Sequence, residues 1–157
     1  MTPADLSLMD CSVAKTLEVV GERWSLLILR DAFYGVRRFD DFQADLGVAR
    51  NILTDRLKKL VERGVLERRR YEERPPRYEY KLTEKGRDLL PVVLSMMRWG
   101  NRWETSGEPP VTLSHMTCGH ETEPVTVCSH CGDPLQLHNV RAEPIPVRAR
   151  HAGALAT

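Results

Sequence analysis

No apolar run in this chain approaches the roughly 20 residues that a membrane-spanning helix needs, so an α-helical membrane protein is excluded. The opening, Met1-Thr2-Pro3-Ala4-Asp5, has no basic region followed by an apolar stretch; the expectation is a chain without a secretory signal and with a cytoplasmic address. Cysteine is scarce. There are four, too few for a disulfide scaffold, and Cys118, Cys128 and Cys131 crowd into one stretch with four of the five histidines nearby. In a cytosolic chain that clustering favours a metal over disulfides. No histidine precedes Gly107, and no His-Glu-x-x-His helix, Ser-His-Asp set or phosphate-cradling glycine loop is evident, so the chain is not expected to be an enzyme.

What is present is enough for one ordinary core and a small satellite: 157 residues, 41% hydrophobic and 29% charged. The formal net charge of +1 conceals a basic segment. Between Arg50 and Arg87 stand 13 Lys or Arg against 7 Asp or Glu, a balance that attracts a polyanion or merely solvates a surface. Pattern has to decide between the two.

Val13, Leu17 and Val20 recur at helical spacing and Gly21 ends that helix. The run Trp24-Ser25-Leu26-Leu27-Ile28-Leu29-Arg30 is apolar nearly all round, as in a helix buried at the centre of a bundle, and Gly35 stops it. Phe39, Phe42 and Leu46 mark a short amphipathic helix before Gly47. Ile52, Leu53, Leu57, Leu60 and Val61 mark a longer one before Gly64. Two helices across a short turn, the second polar on its free side, outline a helix-turn-helix. Val65 to Tyr71 and Tyr78 to Leu82 then read as two strands, with Glu72-Glu73-Arg74-Pro75-Pro76-Arg77 as the loop because successive prolines lack ladder donors. A basic hairpin directly after a helix-turn-helix is a wing. Thr83 caps a further long helix that Pro91 is expected to bend. Its Met96, Met97, Trp99 and Trp103 exceed the apolar surface a small domain can cover, which points to a homodimer.

On the second helix of the motif, Arg50, Asn51 and Thr54 lie near the N-terminus, where side chains reach base edges in the major groove. Arg pairs with guanine through two bonds, and Asn with adenine. Asp55 is either a cytosine reader or, preferably, an intramolecular partner of a neighbouring base-contacting side chain. Arg37, Arg38 and Lys58 suit phosphates, which set register without reading sequence. Arg74 and Arg77 flank the wing prolines and suit an adjacent minor groove.

Several motifs, in order, carry a resemblance: Cys11-Ser12-Val13-Ala14, Gly21-Glu22-Arg23-Trp24-Ser25-Leu26-Leu27-Ile28-Leu29-Arg30-Asp31, Gly35-Val36-Arg37-Arg38-Phe39, Leu53-Thr54-Asp55-Arg56-Leu57, Pro75-Pro76-Arg77-Tyr78-Glu79-Tyr80 and Leu82-Thr83-Glu84-Lys85-Gly86. From Cys11 through Trp99 the chain resembles the HxlR family of winged-helix transcriptional regulators, relatives of the MarR group. The resemblance implies a homodimer on a roughly palindromic double-stranded DNA operator, with the first and last helices of the domain in the subunit contact. It also implies a question about Cys11, since some relatives sense oxidants or electrophiles through a cysteine at this position. A helix N-terminus can favour the thiolate. Ser12 stands where the family often has Pro, and a buried cysteine is often only a small apolar residue.

Cys128-Ser129-His130-Cys131-Gly132 has the outline of a zinc knuckle, and His115-Met116-Thr117-Cys118-Gly119 repeats its spacing with histidine for the first cysteine. A structural Zn²⁺ on His115, Cys118, Cys128 and Cys131 is the expectation, with His120 the rival nitrogen ligand and a metal-free hairpin the alternative. Four protein ligands leave no open position for a substrate water. The expected architecture is α+β and mainly helical: a winged helix-turn-helix DNA-binding and dimerisation domain over 1–107, a zinc-ribbon-like module over 108–140, and a flexible tail over 141–157. The expected function is a sequence-specific DNA-binding transcriptional regulator, open to a small-molecule or redox signal. The competing readings are a winged helix that binds a protein partner and, less well supported, a small zinc enzyme.

Overall fold

The computed structural model describes residues 9–143; the opening residues and most of the stretch read as a tail lie outside them. The chain divides into two compact units, Met1–Thr122 and Glu123–Thr157. The division thus falls inside the stretch read as one zinc module, after His115 and Cys118.

In the first unit α1 (Ser12–Val20) opens with Cys11 in the N-cap position, and α2 (Arg23–Phe33) follows after Gly21. The helix-turn-helix is α3 (Phe39–Leu46), a turn at Gly47, and α4 (Arg50–Glu62). Gly47 sits at φ 61° and its amide caps the carbonyl of Gln43, a left-handed exit that glycine takes without steric cost. Ile28 and Leu29 of α2, Phe42 of α3 and Leu53, Leu57 and Leu60 of α4 are wholly buried together with Val65 and Leu66, which lead out of α4 into the hairpin. The apolar stripes read for α2, α3 and α4 thus meet in one core, whereas of the stripe read on α1 only Val20 reaches it and Val13 and Leu17 are exposed.

The wing is β1 (Leu66–Glu73) paired antiparallel with β2 (Pro76–Leu82). Pairing continues to Glu73 opposite Pro76, so the connection is Arg74 and Pro75 alone. This corrects the six-residue loop expected between the strands. Pro76 takes the first place of a strand, where a missing donor is tolerated. A register shift between Arg70 and Glu72 leaves Tyr71 as the extra residue of a bulge. At the other edge of β2, Arg37 and Arg38 join the sheet: the Tyr80 amide donates to the Arg37 carbonyl at 2.7 Å, and Arg38 bridges Glu79.

The helix expected from Glu84 onward is two. A single turn, α5 (Glu84–Arg87), is capped by Thr83, whose hydroxyl oxygen accepts from the Gly86 amide at 3.1 Å and whose hydroxyl donates to the Gly64 carbonyl at 2.6 Å. Gly86 is buried so tightly that a Cβ there would stand 2.2 Å from the Val65 carbonyl oxygen. Pro91 then lies in the first turn of α6 (Leu90–Trp103), where its missing amide proton would have had no partner. Pro91 starts a helix rather than bending one. Along α6, Leu90, Val93, Leu94 and Met97 turn one way, while Val92, Met96, Trp99 and Trp103 form a second apolar stripe that is exposed. Val13 and Leu17 of α1 are also exposed. Beyond α6, β3 (Leu113–Ser114) pairs with β4 (Glu121–Thr122), and in the second unit Val127 bridges Pro134.

Candidate nucleic-acid interface

Every side chain singled out for DNA contact, Arg37, Arg38, Arg50, Asn51, Thr54, Lys58, Arg74 and Arg77, is exposed. The fold brings three of them together. Arg38, Arg50 and Arg77 line one cleft of about 440 Å³ between the start of the recognition helix α4 and the wing.

Aromatic faces hold two of these guanidinium groups in place, and that of Arg68 on the wing as well. Arg50 lies over the Phe39 ring at 4.5 Å from its centroid, Arg38 over Tyr71 at 4.9 Å, and Arg68 over Tyr78 at 3.6 Å. Such stacking fixes a long side chain at little entropic cost while leaving its N–H edge directed outward. Arg50 also meets Asp40 at 3.5 Å and donates to the Gln43 side-chain oxygen at 3.5 Å. Tyr71 reaches Arg38 from the bulge. These aromatic supports are absent from the residue set drawn from sequence, because each stack joins residues of different elements and depends on the register of the hairpin.

The other residues differ in how committed they are. Thr54 donates its hydroxyl to the Arg50 carbonyl one turn back at 2.8 Å, which leaves its methyl group as the outward feature. Asp55 pairs with Arg56 at 3.1 Å and Lys59 at 3.4 Å, as an intramolecular partner would. Lys58 is within 3.7 Å of Glu62, and Arg77 within 3.3 Å of Glu72. On the outer face of the wing Arg69 pairs with Glu67 and Lys81 with Glu79; the Lys81 ammonium beside Glu79 lowers that carboxyl below its ordinary range. Much of the basic excess is therefore matched locally, and Arg74 is carried to the tip of the hairpin.

The cysteine and histidine residues form two turns, one in each unit. In the first, the His115 amide donates to the His120 carbonyl at 2.9 Å and the Gly119 amide to the His115 carbonyl at 2.7 Å. In the second, the Cys128 amide donates to the Asp133 carbonyl at 2.8 Å and the Gly132 amide to the Cys128 carbonyl at 2.9 Å. The two turns match bond for bond, and Gly119 at φ 73° corresponds to Gly132 at φ 81°. In this correspondence His115 stands for Cys128, Cys118 for Cys131, and His120 for Asp133. Each turn brings out soft donors: His115 Nδ1 lies 3.3 Å from Cys118 Sγ, and the amides of Cys131 and His130 directed at Cys128 Sγ pull that thiol below its ordinary value. Among the described residues no group of three or more His, Cys, Asp or Glu is gathered to hold a metal ion. Cys11 is half-buried and unoxidised, with no side-chain cap to α1.

Among the described residues no helix is long and apolar enough to cross a membrane. The family model described as HxlR-like helix-turn-helix matches residues 19–108. An uncharacterized HTH-type transcriptional regulator of Mycobacterium tuberculosis, Rv3095, is 48% identical over 136 residues, covering 86% of this chain and 86% of its own length. The crystal structure of PA1607 superimposes with a TM-score of 0.79 at 38% identity over 87% of this chain and 96% of that one. The redox regulator HypR in its oxidized form superimposes with a TM-score of 0.57 at 35% identity, over 61% of this chain and 100% of that one. With its helix-turn-helix, its wing and this extent of likeness, the chain belongs to the HxlR-like helix-turn-helix family, which consists of transcriptional regulators and not enzymes.

Proposed function

We propose that this regulator binds a palindromic operator as a homodimer, with Arg50, Asn51 and Thr54 reading bases in the major groove and Arg74 and Arg77 reaching the minor groove beside it. Arg37, Arg38 and Lys58 supply phosphate contacts. The observation that carries the reading is the cleft in which Arg38, Arg50 and Arg77 meet between recognition helix and wing. Arg50 is stacked on Phe39 at the start of the recognition helix, and exchanging its exposed contacts with Asp40 and Gln43 for a guanine would give the bidentate pair. The test is fluorescence anisotropy on duplexes selected by the purified protein. Arg50→Ala is expected to weaken the selected duplex by about 1–3 kcal/mol and to relax the base preference at one position per half-site. Affinity for the wild type falls steeply with salt, as phosphate contacts require. A protein that selects no duplex above nonspecific affinity overturns the reading and favours a protein partner instead.

The extension carries a structural Zn²⁺ on His115, Cys118, Cys128 and Cys131. The support is the bond-for-bond match of the two turns, each taken by itself, which sets His115 and not His120 in correspondence with a cysteine ligand. The ion would fasten a segment too short to build a core of its own. Elemental analysis of the purified chain is expected to find about one zinc per protomer, lost with Cys128→Ser. Wild-type protein without zinc ends this reading.

Cys11, half-buried at the N-cap of α1, is the proposed point of entry for an oxidant or electrophile. Diamide is expected to alter operator binding by the wild type and leave Cys11→Ser unaffected. Equal responses of the two proteins exclude Cys11 as the sensor.

A further inference from the structure

Arg68, Arg69 and Arg70 follow one another along β1 and look like a patch for a polyanion, yet each is engaged within the wing. Arg68 lies over the Tyr78 ring and Arg69 pairs with Glu67 at 2.6 Å. Arg70 has a different kind of partner. Its Nε donates to the Glu72 carbonyl at 3.3 Å and its Nη2 to the Glu73 carbonyl at 2.8 Å, so one guanidinium closes on two successive backbone carbonyls of its own strand. Glu72 and Glu73 are the residues directly ahead of the connection through Arg74 and Pro75.

This strand end needs a donor from outside the ladder. Glu73 stands opposite Pro76, and antiparallel partners exchange N–H···O bonds, but a proline has no amide proton to give to the carbonyl facing it. The register shift between Arg70 and Glu72 also takes Tyr71 out of the pairing, so the ladder is interrupted just ahead of the tip. A guanidinium suits the repair, because it is planar, always charged and carries its donors in a fixed fork. Lysine offers a compact ammonium on a flexible stem and no such fork. Exposed strand ends with few bonds are where a fold opens first, so the added donors act where they change local order most.

We propose that Arg70 is a positioning residue of the wing: it supplies the donor that Pro76 cannot, fixes the tip, and so aims Arg74 at the minor groove while staying off the DNA itself. The aiming of Arg74 rests on the operator reading above; the support of the tip does not.

Two measurements on the full chain test this role. Without DNA, nitrogen-15 relaxation reads the order of the backbone amides of Glu73 and Arg74. Arg70→Lys, which keeps the charge and loses the fork, is expected to lower that order, and Arg69→Lys to leave it unchanged. Unchanged order in Arg70→Lys overturns the proposal whatever the protein does with DNA. On the selected duplex, Arg70→Lys is expected to weaken binding about fivefold, the low end for one well-placed contact. In an Arg74→Ala background the same substitution is expected to change affinity less than about twofold, since the contact it aims is already gone. Equal losses in the two backgrounds would show that Arg70 meets DNA directly, and a loosened tip with undiminished affinity would show that Arg74 is not aimed by it; either result overturns the role in DNA binding. If the tip loosens as expected and no duplex is selected, the operator reading fails and the support of the tip stands.

Discussion

Trp99→Glu is expected to convert the protein from dimer to monomer at micromolar concentration and to remove high-affinity operator binding with it. Trp99 is 58% exposed and Trp103 62% exposed in the single chain, on the same stripe of α6 as Val92 and Met96. Val13 and Leu17 of α1 add a second exposed apolar strip. In the proposed homodimer this apolar surface is what the second copy covers. A buried large side chain contributes about 1.5–3 kcal/mol, and two-fold symmetry counts each loss twice. Adding a carboxylate that must be desolvated makes the change larger. The dissociation constant of the dimer should therefore rise on the order of 100-fold or more. In the proposed complex the two half-sites are engaged through one linked dimer, so loss of the dimer would also remove the effective-concentration advantage of the second half-site. Light scattering after gel filtration measures the mass and circular dichroism checks that the helices persist. A variant with the wild-type dimer mass would show that α6 does not form the contact.

The second large effect concerns stability. Phe42→Ala is expected to cost about 3–5 kcal/mol, since the ring of Phe42 is wholly buried among Ile28, Leu29, Leu53 and Leu57 and its loss leaves a cavity as well as a transfer deficit. Against a total stability of roughly 5–15 kcal/mol, that change consumes much of the margin. Urea unfolding should show a lower midpoint with an unchanged slope. A shift worth less than about 1 kcal/mol would mean that α3 is not seated on this core as described.

Phe42 was legible in the sequence, as were Leu53, Leu57 and Leu60, because the apolar spacing of three and four along α3 and α4 has only one inward face to occupy; Val48, read as part of the turn, is buried, and Val13 and Leu17, read as an inward face, are exposed. The glycines at 47 and 64 were legible for a related reason: both take positive φ, and few other residues end a helix so abruptly. The wing was read too short in its strands because the rule against proline in a ladder concerns the missing donor, and Pro76 opens a strand where no donor is needed. Pro91 was misplaced on the same logic, since proline is disruptive inside a helix and favourable in its first turn. The supports of the arginines were out of reach for a different reason. Phe39 lies eleven positions from Arg50, and Tyr71 lies far beyond Arg38; only the turn of the motif and the extra residue in β1 bring each pair together. Asp31 shows the limit in the core. A carboxylate beside an arginine at the end of an apolar run looks like a solvated helix terminus, and nothing in its spacing reveals that one oxygen is left without a donor.

The bulge at Tyr71 has a consequence for the evolution of the wing. Side chains along a strand alternate in face, so inserting or deleting one residue normally inverts everything beyond it. In β1 the extra residue is already absorbed at Tyr71, which resets the phase of the last two positions, Glu72 and Glu73, before the tip. Removal of that one residue would restore an uninterrupted ladder and leave Glu72 and Glu73 opposite Arg77 and Pro76, on the same faces as before, because paired residues share a face and β2 is unbroken. What such a loss would remove is the Tyr71 ring under Arg38, together with the local bend that a bulge brings. The position can thus be gained or lost without disturbing the core or the pairing of the wing tip, and with it comes or goes the support of one arginine.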